Sequence, residues 1–111
     1  MSIKIVVSDK VGFKVQGSIN DAAGVAQPFH FQLTCTRLDA DQIQQKLKSD
    51  TDASLTDFLG DVVEGWSGVQ DGEGKQLPFS EDNLRVLCKI PGVAGLAFRT
   101  YRAEVGAKEK N

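Results

Sequence analysis

Residues 29–66 read FHFQLTCTRLDADQIQQKLKSDTDASLTDFLGDVVEGW, and the period of their apolar residues changes once, at Leu38. Before it, Phe29, Phe31, Leu33 and Cys35 fall on one parity and His30, Gln32, Thr34 and Thr36 on the other. Successive strand side chains point to opposite faces, so 29–37 reads as a half-buried strand. After Leu38 the spacing is helical. Asp39 with Gln42 three residues on reads as a helix cap, and Ile43 and Leu47 lie one turn apart. Ser54 is expected to cap a second helix, with Asp57 completing the box. Leu55, Phe58, Leu59, Val62, Val63 and Trp66 would form its inner stripe, until Gly65 and Gly68 end it.

Working outward, Val11, Phe13, Val15 and Ile19 share a parity, and Gly17 among them suggests a bulge or a close backbone approach. Ile3 to Val7 is a β-branched run followed by the turn signal Ser8-Asp9-Lys10. The expected sheet is therefore a meander of three antiparallel strands, 3–7, 11–19 and 29–37, with Asn20–Gly24 and Pro28 marking the second turn. Toward the other end, the glycine-rich QDGEGKQ connection leads to Ser80. This residue caps a third helix with Glu81 and Asp82 in its first turn and Leu84, Leu87 and Cys88 inside. Pro91 stops it. A last helix starts near Val93, with Leu96, Ala97, Thr100, Tyr101 and Val105 on one face. The expected fold is α+β in one domain over 1–111: a strand-rich part (1–38), about four helices (39–106) and a polar tail (107–111).

Composition narrows the function. A chain of 111 residues supports one core. Its net charge of −2 argues against a duplex-DNA binder, which depends on clustered positive charge. The charges are unevenly spread. Residues 39–64 carry seven acids against Lys46 and Lys48, and residues 85–111 carry six bases against Glu104 and Glu109. No signal-peptide pattern or membrane span is evident, so the expected location is cytoplasmic. Cys35 and Cys88 are isolated and read as buried small hydrophobes. The only histidine, His30, differs in parity from Cys35, which is the wrong geometry for activating a thiol. One histidine and two isolated cysteines cannot supply a zinc tetrad. No catalytic, cofactor-binding or metal-ligating residue is expected, and the chain reads as a non-enzyme. Phe13, Phe29 and Phe31 could stack on bases, yet their strict parity places them on the sheet's underside.

The ordered set Phe58-Leu59, Trp66-Ser67-Gly68-Val69, Asp71, Gly74, Leu77-Pro78-Phe79-Ser80, Asn83-Leu84, Leu87, Pro91-Gly92-Val93 and Tyr101 resembles the C-terminal half of the small tail assembly chaperones of long-tailed, lambda-like bacteriophages and prophages. The resemblance covers about residues 55–105. It implies a transient, non-enzymatic role in the host cytoplasm: holding the tail tape-measure protein soluble and leaving before the tail is complete. Recruitment of tail-tube subunits is a further implied role, as is, in several such phages, a longer product made by ribosomal frameshifting, for which the closing Lys110-Asn111 would suit a slippery codon pair. The expected partner contacts are Trp66, Phe79 and Tyr101 as aromatic anchors and Arg99 and Arg102 as charge partners, residue types that dominate binding hot spots. The alternatives are a tube or neck subunit of the virion and, after it, a single-stranded nucleic-acid binder.

Overall fold

A computed structural model describes residues 2–109 of the chain. In order along it come β1 (Lys10–Asn20), β2 (Ala26–Thr36), α1 (Ala40–Lys46), α2 (Asp52–Val62), β3 (Val63–Ser67), α3 (Glu81–Cys88) and α4 (Val93–Val105). The three strands form one antiparallel sheet in the order β1-β2-β3. The class is α+β, with a three-stranded antiparallel sheet and four helices.

β1 and β2 form a long regular hairpin, Lys10 opposite Thr36 and Asn20 opposite Ala26. Asp21 makes its turn: the carboxylate accepts the backbone N–H groups of Ala23 and Val25 and the side-chain amide of Gln27. These donors hold the Asp21 carboxyl below the usual carboxylate range. Pro28 lies inside β2, opposite Ser18, rather than in the turn. Gly17 causes no bulge and answers to a close approach. A Cβ there would stand 2.9 Å from both Leu96 Cδ2 and Phe29 Cζ, so glycine lets α4 and Phe29 close over the strand.

The third strand differs from the sequence reading. Residues 3–7 join no ladder, and Ile3, Ile5, Val6 and Val7 are exposed. The sheet is completed by β3, which sequence spacing had placed at the end of the second helix. α2 stops at Val62, and the chain turns extended at Val63 (φ −76°, ψ 128°). Val63 and Trp66 are an odd number of residues apart, so a regular strand would send them to opposite faces. The ladder is irregular between Thr34 and Cys35, with Glu64 inserted: Val63 faces Cys35, Gly65 faces Thr34 and Trp66 faces Leu33. The bulge restores both side chains to the inner face. A helix stripe and a bulged strand thus satisfy the same apolar residues. β2 decides between them by offering a partner edge.

The α2 cap is also corrected. Thr51, not Ser54, is the N-cap, its hydroxyl accepting the Ser54 N–H at 3.3 Å. Asp39 and Gln42 do form a reciprocal capping box on α1, and Ser80 caps α3 by accepting the Asn83 N–H at 3.0 Å. α4 starts at Gly92, whose φ of +87° makes the corner after Pro91. Of the expected tail, residues 107–109 are exposed and Lys110 and Asn111 lie outside the described residues.

The core lies between the sheet and the helices. Val11, Phe13, Val15, Phe31, Leu33, Cys35 and Val63 supply the sheet side; Leu55, Phe58, Leu59, Val62, Leu84, Phe98 and Tyr101 the helical side. Phe58 stands at its centre, edge-on to Phe98 at 5.1 Å and to Tyr101 at 5.6 Å. With Phe13 and Phe31 buried here, they are not free to stack on bases.

Candidate functional site

The five sequence-derived contact residues fall into three groups. Tyr101 belongs to the core, with no exposed surface, and this removes it from the contact set. Its position follows from the α4 stripe, Val93, Ala94, Ala97, Phe98 and Tyr101, all buried at helical spacing. Its hydroxyl accepts the Leu38 N–H at 3.1 Å and donates to the Thr36 carbonyl at 2.8 Å, tying the end of β2 to α4. Burial raises its pKa.

Trp66 and Phe79 form a second group. Their rings meet edge-on at 5.2 Å, and Trp66 Nε1–H donates to the Leu77 carbonyl at 2.8 Å. This clasp pins the segment before α3 onto β3. Both rings are half-buried, so each keeps some surface. Gly68 next to the clasp has φ +85°, and a Cβ there would come within 3.3 Å of Phe31 Cα. The sequence elements Trp-Ser-Gly-Val and Leu-Pro-Phe-Ser therefore meet in space.

Arg99 and Arg102 form the third group, both exposed and one turn apart on α4. Each borders an open cleft. The larger, about 860 Å³, lies between α1, the last turn of α4 and residues 7–9. Its apolar wall is Val7, Leu38, Ile43, Leu47 and Val105; Arg37, Arg102, Asp9 and Asp39 supply charges of both signs. The smaller, about 360 Å³, has Arg99 at its rim and shares Leu47. α1 is the more exposed wall. It has seven residues, none buried; Ile43 within it and Leu47 at its C-cap are half-buried. An exposed Lys46–Asp61 pair at 3.9 Å links it to α2. The floor is firmer: Arg37 Nη1–H donates to the Val105 carbonyl at 2.5 Å, a cation on the C-terminal end of α4.

Sequence reasoning missed Arg37, Leu38, Ile43 and Leu47 as site residues. The available signal was the bareness of α1, a capped helix with two apolar residues and no stripe wide enough to bury it.

The fold keeps both thiols protonated. Both cysteines are free and buried, and burial, with the Glu64 charge added, pushes the Cys35 thiol up to about 12; burial also raises Cys88. Thiols held protonated are poor nucleophiles. Native protein is therefore expected to resist iodoacetamide at pH 8, with both thiols labelled in denaturant. Because the folded thiols ionise later than the unfolded ones, unfolding free energy should fall as pH rises above about 8.5, where only the unfolded chain loses those protons. Among the described residues no group of three His, Cys, Asp or Glu could hold a metal ion, and no helix is long and apolar enough to cross a membrane.

No family model, curated protein or solved structure matches the chain.

Proposed function

We propose that this protein is a non-enzymatic tail assembly chaperone of a long-tailed bacteriophage or prophage, acting in the host cytoplasm on the tape-measure protein and leaving before the tail is finished. The observation that carries the reading is the cleft under α1. Ile43 in a capped helix that buries none of its own residues, and Leu47 at the end of that helix, line this cleft together with Leu38, Val105 and Arg102. An apolar groove edged by charge suits one face of an amphipathic helix, read as side chains one turn apart. Tape-measure proteins present long helices of that kind. The mutual packing of Trp66, Gly68 and Leu77–Phe79 supports the same reading, because the residues that carry the resemblance form a framework rather than a reaction centre. Recruitment of tail-tube subunits belongs to this proposal as a second contact, with the exposed parts of Trp66 and Phe79 as its surface.

Co-expression with the tape-measure protein tests the reading. The wild-type chain should raise soluble tape-measure protein and co-purify with it. Ile43→Asp with Leu47→Asp should abolish both while leaving the fold intact, since neither residue is fully buried. Failure of the wild-type chain to co-purify would overturn the proposal. A virion subunit is the second reading, favoured by β1 as an open sheet edge; mass spectrometry of purified virions separates the two, because a subunit is abundant there and a chaperone absent.

A further inference from the structure

Residues 3–7, Ile-Lys-Ile-Val-Val, alternate as a strand, carry no partner, and expose Ile3 by 84%, Ile5 by 100% and Val6 by 79%. β1 is an edge strand. The Arg37 N–H donates to the Asp9 carbonyl, so odd-numbered residues of β1 bond toward β2. By alternation, the N–H and C=O groups of Gly12, Lys14, Gln16 and Ser18 point off the free edge. We infer that residues 3–7 of one molecule add as a fourth, antiparallel strand along β1 of a second copy, with Lys4 opposite Gly12.

The register follows from side-chain chemistry. With Lys4 opposite Gly12, Ile3 meets Phe13 and Ile5 meets Val11, extending the apolar face of the sheet, while Lys4 lies on the polar face against a residue without a side chain. Gly12 has no other evident reason to be glycine. Its φ is not positive, and the nearest atom to a Cβ there would be the Leu33 carbonyl oxygen at 3.8 Å. Glycine inside a strand weakens it and often marks a close approach by another backbone.

The same pairing cannot form within one chain. In this register only Ser8 separates the paired segments, fewer than the two residues of the tightest common hairpin loop. A two-residue loop, Ser8–Asp9, slips the strand by one and sets Lys4 on the apolar face against Phe13. A three-residue loop, Ser8–Lys10, sets Lys4 directly against Lys14, an unfavourable like-charge pair. It also needs a turn at residues 9–10, where Lys10 already stands opposite Thr36 and the Asp9 carbonyl already accepts the Arg37 N–H. A connection too short to close on its own strand favours exchange between copies. The occupant is therefore a second copy, which brings both the free strand and the free edge.

Sedimentation of the purified chain, with no tape-measure protein present, tests this independently of the proposed function. The wild-type chain should show a mass above one chain that grows with concentration. Ile3→Asp with Ile5→Asp, and separately Gly12→Pro, should each remain single chains with an unchanged circular dichroism spectrum. An equimolar mixture of the two variants should recover a one-to-one pair, because one keeps its edge and the other its strand. Should Gly12→Pro fail to fold, Gly12→Lys replaces it, weakening association about two- to fivefold and regaining it in a mixture with Lys4→Glu. A wild-type chain that stays single, association that neither block weakens, or a mixture that fails to pair would each overturn the inference.

Discussion

Phe58→Ala is expected to lower the unfolding free energy by about 3–5 kcal/mol, the cost of deleting a buried aromatic ring and leaving its cavity. Phe58 is 1% exposed and makes edge-on contacts with both Phe98 and Tyr101, so it is a central contact between α2 and α4. Domains of this kind are stable by roughly 5–15 kcal/mol, which makes such a loss a large part of the whole. Thermal unfolding should shift down by roughly 15 °C or more. Phe58→Leu separates packing from ring geometry. It keeps most of the volume and forfeits the edge contacts, about 0.5–1.5 kcal/mol each. Equal losses in the two variants, read by calorimetry, would refute Phe58 as the hub of the core.

Tyr101→Phe is the second large effect, at about 1–3 kcal/mol for a change of one oxygen atom. The hydroxyl serves the Leu38 N–H and the Thr36 carbonyl together, and both would lose that partner away from solvent. The damage should be local as well as global. Leu38 immediately precedes the Asp39 cap of α1, so hydrogen exchange at Leu38 and over α1 should quicken more than over α3. Uniform quickening across the chain would mean that the hydroxyl contributes to stability without mooring α1.

Elements with a local cause were legible in the sequence. The strict parity of Val11–Val15 and of Phe31–Cys35 marked the sheet's inner face, and the Asp39–Gln42 box and the Ser80 cap marked two helix starts at their actual places. What escaped depended on contacts distant in sequence. β3 exists because β2 offers an edge thirty residues upstream, and the Glu64 bulge disguised its parity as helical spacing. Thr51 won the α2 cap in a cluster of three hydroxyls, Ser49, Thr51 and Ser54, that bond one another; composition alone cannot rank these. Residues 3–7 have the β-branched composition of a strand but join no ladder, and the chain bends at Ile5.

The candidate site was legible in part. Arg99 and Arg102 were expected only as charge partners and Trp66 and Phe79 only as separate anchors; the structure adds that the arginines are exposed at cleft rims and that the two rings meet. Tyr101 was misassigned because hot-spot composition does not distinguish an aromatic anchor from a core ring. The stripe of small and apolar residues on α4 does, once Phe98 is counted with it. The cleft itself was invisible, since it is a gap between α1 and α4, elements some fifty residues apart.

Hydrogen exchange of the chain alone and saturated with a helical tape-measure fragment tests the central claim most directly. Bound fragment should slow exchange over α1 (Ala40–Lys46) and the last turn of α4, with little change at β1, and Ile43→Asp with Leu47→Asp should erase that protection. Protection confined to the Trp66–Phe79 region, or none at saturating fragment, would contradict a partner seated under α1.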